Sequence, residues 1–218
     1  MDSYRQSVER FAKDGATIIG LDRRTRYKSI GPESPRPLEP GYIPIDKPPR
    51  LCAVSFYPNA SDLSSNEYDA ARASFEAWGR SGALEDYERA YMDWIETLPQ
   101  VPFHRDFNVP IFLELGIEIT EFAWLPLVKC PLPARTSVDE DDIFKDRFLL
   151  WDQLLLLKPK VILAQGLQAY DVVRAMCEDK FPHRVVLQKI GRIGTKQYHE
   201  GEEQRVISDL RSALAAEL

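Results

Sequence analysis

Apolar positions along the chain keep two rhythms. Leu51-Cys-Ala-Val-Ser-Phe56 and Val161-Ile-Leu163 are short apolar runs without alternation, the mark of strands buried on both faces. Tyr68, Arg72, Phe75 and Trp78 recur at helical spacing, as do Tyr87, Tyr91, Trp94 and Leu98 before Pro99. Phe144, Phe148, Trp151 and Leu155 repeat that period up to Pro159, which predicts a long helix, a turn and the strand at Val161. After Gly166 the period resumes at Leu167, Tyr170, Val173 and Met176, so Gln165-Gly166 is a strand-to-helix corner. A second strand is expected in Trp124 to Val128, ending near Pro126 after the alternating stretch Ile117 to Ala123. A fourth is expected over Arg184 to Gly191, followed by an amphipathic helix carrying Val206, Leu210 and Leu214. Ser64 with Glu67, and Ser137 with Glu140, have the spacing of helix-opening capping boxes.

Strands alternating with helices predict an α/β fold: a central four-stranded parallel sheet covered on both faces, with right-handed crossovers. The N-terminal part is organised differently. Ser3 to Phe11 predicts a short amphipathic helix through Tyr4, Val8 and Phe11, followed by a brief apolar run between Gly15 and Gly20. From Gly31 to Pro49 prolines are too dense for a helix or a central strand, so an extended arm is expected that wraps the domain or links to it. This divides the chain into a helix and proline-rich arm, 1–50, and an α/β domain, 51–218.

The chain has 218 residues, enough for one domain with a continuous core, and its 44% hydrophobic and 28% charged content is that of an ordinary globular protein. A net charge of -6 argues against a broad basic footprint for nucleic acid. Arg23, Arg24, Arg26 and Lys28 form a local basic cluster around Tyr27, readable as a solvated face or as a phosphate contact. No apolar run reaches the roughly 18 residues of a membrane span, and Met1 to Lys13 is polar, so no membrane association and a cytoplasmic location are expected. Cys52, Cys130 and Cys177 are widely spaced, which suggests buried free thiols and neither a disulfide framework nor a metal site; no cofactor is expected. The aromatic stripes are read as core before base-stacking surfaces.

Two segments carry a resemblance. A helix running into Pro159-Lys160-Val161-Ile162, with Gly166 and Ala169 following, stands downstream of Leu127-Val-Lys-Cys-Pro-Leu-Pro133. Together they resemble the uracil-DNA glycosylase superfamily. The resemblance implies that superfamily's three-layer α/β/α sandwich from Leu51 onward, and an enzyme that extrudes a base and hydrolyses its N-glycosidic bond. Some branches hold an iron-sulfur cluster on four cysteines, which three cysteines cannot supply.

The implied site lies where ligands bind in open α/β sheets, beyond the carboxyl ends of the strands. After strand one, where the family has G-x-D-P-Y or G-x-N-P, this chain has Ser55-Phe56-Tyr57-Pro58-Asn59. Tyr57 and Asn59 become the candidates for holding water, although a phenol with an ordinary pKa of about 10 is a poor base at neutral pH. Where several branches read the base with an asparagine ahead of Lys-Cys, this chain has Pro126, with Lys129 left either to meet phosphate or to pair with an acid at the surface. The segment after strand four, Lys189 to His199, offers Arg192 and Lys196 to a phosphate backbone and His199 in place of the family's histidine. Candidate catalytic residues are therefore Tyr57, Asn59 and His199; candidate base or backbone contacts are Ser55, Phe56, Pro126, Lys129, Gln165, Gly166, Arg192 and Lys196. Two function classes follow: a divergent base-excision glycosylase, a DNA-repair hydrolase acting on nucleic acid, or a non-catalytic descendant binding nucleic acid, a nucleotide or a protein. A Rossmann-like nucleotide enzyme is a weaker third, since neither G-x-G-x-x-G nor a phosphate-binding P-loop occurs.

Overall fold

A computed structural model describes residues 3–21, 27, 38–56, 65–100, 109–130, 138–180, 186–190 and 202–215. Helix α1 (Ser3–Ile19) precedes strand β1 (Leu51–Ser55), then α2 (Ser65–Ser81), α3 (Leu84–Thr97) and the short α4 (Val109–Glu114). Strand β2 (Ala123–Pro126), α5 (Glu140–Leu157), β3 (Val161–Gln165), α6 (Leu167–Lys180), β4 (Val186–Ile190) and α7 (Glu202–Ala215) complete the order. The strands are parallel and open, in the order β2-β1-β3-β4. Every residue of β1, β2 and β3 is buried, which is why these runs do not alternate and why both faces of the sheet must be covered. With this order, the usual right-handed crossover places the excursion from β1 to β2 on one face and those through α5 and α6 on the other. Trp94 of α3 stacks on Trp124 of β2 with ring centroids 6.0 Å apart, which fixes the first of these faces. Phe75, Trp78, Tyr87, Tyr91 and Trp94 are all buried, so the aromatic stripes are core. No described helix is long and apolar enough to cross a membrane.

Helix α1 runs eight residues past the expected Phe11, straight through Gly15. The cause is tertiary: a Cβ on Gly15 would lie 2.3 Å from Trp78 Cζ2, and Trp78 Nε1 donates to Ala12 O at 2.7 Å. Glycine stands there for close helix approach, and burial of Phe11, Ala12 and Ile18 outweighs its cost of about 1 kcal/mol in a helix. The alternating stretch ahead of strand two holds a 3-10 turn, Ile119–Glu121, and β2 runs from Ala123 to the expected end at Pro126.

Helix α5 has the expected length, and its apolar stripe is only partly buried. Phe144 and Phe148 are more than half exposed, at 54% and 52%, whereas the inward stripe is Asp142, Asp146, Leu150, Gln153, Leu154 and Leu157. Its N-cap is Asp139, whose side chain makes no capping bond, so Glu140 is the first helical residue and not the third of a capping box. Glu140, Asp141 and Asp142 in the first turn suit the positive end of the helix dipole. Ser64 and Ser137 lie outside the described residues.

The arm wraps the domain over 38–50, and the core is shared: Tyr4, Val8, Phe11, Leu38, Tyr42 and Ile43 belong to the same buried cluster as Leu51 to Val54. Tyr42 pairs with Trp124 as an antiparallel bridge (N to O 2.8 Å, and 2.9 Å in return), covering the outer edge of β2, the kind of edge that folded proteins keep from pairing with other chains. Buried phenols hold the next residues. Tyr87 accepts from Ile43 N at 2.8 Å and donates to Ile43 O at 2.6 Å, and Tyr4 donates to Pro44 O at 2.7 Å. Burial raises the pKa of both phenols well above the ordinary value, so both stay neutral donors.

Candidate site at the carboxyl ends of the strands

The direction of chain travel reverses between β1 and β3. From β1 the chain leads outward to β2, and from β3 to β4 on the opposite side. The crevice outside two such strand ends is where open α/β sheets bind ligands. One row of register partners crosses that rim: Pro126, Ser55, Gln165 and Ile190. Neighbours in a row point to the same face of the sheet, two residues along from Trp124, Ala53 and Leu163. The β1 end is braced from β2, because Leu127 N donates to Ser55 O and Val128 N to Phe56 O, each at 2.8 Å.

Ser55 Oγ is the unusual atom of the row. The residue is 7% exposed, and its hydroxyl has no hydrogen-bond partner among the described residues. A buried hydroxyl without a partner is costly, so in a native structure it marks a place for water or ligand. Gln165 is 8% exposed on the adjacent strand. Gly166 turns the chain at φ +94, where an L side chain would be strained, and a Cβ there would meet nothing within 4 Å. That leaves open space where α6 begins, with Tyr170 N already bonded to Gly166 O at 3.1 Å and Leu167 58% exposed. Hydroxyl and carboxamide can donate to and accept from a polar edge, but neither is an acid or base at neutral pH.

Lys129 stands elsewhere than expected. It neither meets solvent nor pairs at the surface: it is fully buried, and its Nζ donates to Pro126 O at 2.6 Å, Gln153 Oε1 at 2.6 Å and Pro40 O at 3.2 Å. Its backbone N donates to Asp146 Oδ2 at 2.8 Å, and its carbonyl accepts from Glu39 N at 2.7 Å. Gln153 Nε2 also donates to Pro40 O at 2.7 Å, and the Tyr27 hydroxyl, on a residue 1% exposed, donates to Asp146 Oδ2. The lysine of Lys-Cys-Pro therefore joins the arm, the β2 end and α5. Asp146 and Gln153 are polar residues that the apolar period passes over; the seven-residue spacing that places them in line with Leu150, Leu154 and Leu157 is the sequence signal for them.

Phe56 is half-buried and Pro126 buried beside this cluster. Tyr57, Asn59, Arg192, Lys196 and His199 lie outside the described residues, as do His104 and His183. The three cysteines are free; burial pushes the Cys52 thiol up to about 12, against the pull of Lys129, and the Cys177 thiol up to about 11. No three His, Cys, Asp or Glu among the described residues are grouped to hold a metal ion. No family model matches the chain, and no curated protein matches it.

Proposed function

We propose that the crevice between the β1 and β3 ends holds a base of a nucleic acid, in a divergent member of the uracil-DNA glycosylase fold whose sheet is its four-stranded, three-layer sandwich. The buried, unpartnered Ser55 hydroxyl beside Gln165 at the reversal point carries the reading, since it offers hydrogen bonds to a polar edge in a place walled from water. Bond cleavage would draw on Tyr57 and Asn59 just beyond β1 and on His199 beyond β4, which the resemblance assigns to the chemistry. Binding without cleavage is the second reading, and Pro126 favours it, because a proline in the rim row has neither an N–H nor a polar side chain for reading a base.

Single- and double-stranded oligonucleotides carrying uracil, hypoxanthine or a mismatched thymine, treated with alkali after incubation, separate the two. Strand breaks at the altered base are the expected result for the enzyme, and salt-sensitive binding without breaks for the binder. Neither binding nor breaks would refute both. Leu167→Glu serves as the site control: an acid in the first turn of α6 suits the helix, while the added negative charge at the crevice mouth is expected to weaken binding on the order of fivefold to tenfold at low salt.

A further inference from the structure

Tyr27 and the start of the described arm meet at one polar cluster. Tyr27 reaches it through Asp146, and Glu39 and Pro40 reach it through the carbonyl and ammonium of Lys129. The same ammonium holds Pro126 O, in the row that crosses the crevice. Three acceptors surround a group with three N–H bonds, at a residue with no exposed surface. If the arm withdraws Pro40 O, a buried cation is left short of an acceptor and must be rehydrated, and water enters only if the β2 end parts from its neighbours. Gln153 adds to this coupling, because its carboxamide bonds the arm and the ammonium at once.

We propose that Glu39 and Pro40 are latched at Lys129, apart from the tyrosine bonds that hold residues 42–44, so that release of this part of the arm and loosening of the Leu127 and Val128 bonds onto β1 are one event. The device would let anything that pulls on the arm change the crevice, whatever the crevice binds. Leu127 and Val128 report the crevice side because their N–H groups bond Ser55 O and Phe56 O; Glu39 and Tyr42 report the arm side.

Hydrogen exchange of the full-length protein tests the coupling. Gln153→Ala removes both carboxamide bonds without touching the main chain at either place. Exchange at Glu39, Tyr42, Leu127 and Val128 is expected to rise together, by about tenfold, the scale of losing a hydrogen bond to a charged group. Tyr27→Phe, which deletes the oxygen that bonds Asp146, is expected to speed the same four amides. Faster exchange at Glu39 and Tyr42 with Leu127 and Val128 unchanged would overturn the proposal, as would no change at any of the four. Should Gln153→Ala fail to fold, as judged by circular dichroism, Tyr27→Phe alone decides.

Discussion

Lys129→Met is expected to lower the stability of the folded protein by about 3 kcal/mol, near the upper end for hydrogen bonds to a charged group. The side chain keeps its apolar stem and loses the ammonium, so Pro126 O and Gln153 Oε1 each lose a short bond in a site closed to water. Pro40 O is left with Gln153 Nε2 as the donor that remains of these two. Relief from desolvating a cation works in the other direction. It is the smaller effect here, because only one side of each bond is replaced and the carbonyls stay buried. For a chain of this size the loss corresponds to a fall in Tm of roughly 6–12 °C. Urea unfolding is the direct measurement. A change below about 1 kcal/mol would mean that the contacts contribute little beyond an exposed pair.

Gly41→Ala is expected to cost about as much, by a different route. Gly41 has φ +102, and a Cβ there would lie 2.6 Å from Trp124 O and 2.8 Å from Leu125 Cδ2. The oxygen cannot retreat, since Trp124 is bonded through both its N and its O to Tyr42, the next residue of the arm. Backbone strain of about 1–2 kcal/mol therefore adds to an overpacking cost of similar size. Gly116→Ala is the comparison, because Gly116 has φ +68 and open space around the missing Cβ. Only the strain is expected there, about 1–2 kcal/mol. Equal losses at the two positions would show that the arm lies less tightly on β2 than its hydrogen bonds imply.

Elements were legible where period alone decides them. The unalternating runs at Leu51 and Val161 became fully buried parallel strands, and the aromatic stripes became core, because burial on both faces or along one stripe is written in spacing. What spacing could not give was rotation and reach. The stripe Phe144, Phe148, Trp151 and Leu155 named α5 correctly, yet its first two members face outward, because Asp146 and Gln153 turn inward to partners that lie 17 to 119 residues away along the chain. Partners so distant leave no local trace. Gly15 shows the same limit: read locally it interrupts a helix, and only Trp78, on another helix, explains why the helix continues.

The candidate site divides the same way. Gln165 and Gly166 stand out as a strand-to-helix corner, a local signal, whereas Ser55 enters through the resemblance, and the register sets Ser55 beside Gln165. Lysine is seldom fully buried, and the burial of Lys129 depends on an arm whose proline pattern says only that it is extended.

Hydrogen exchange of the full chain, with and without a saturating single-stranded oligonucleotide carrying uracil, tests the location of the working face most directly. Slower exchange at Phe56 and through the first turn of α6, Leu167 to Tyr170, is the expected result, since these amides border the crevice at the β1 and β3 ends. Protection confined to the opposite rim, around Arg50 and Lys158 to Val161, or no protection anywhere, would contradict it.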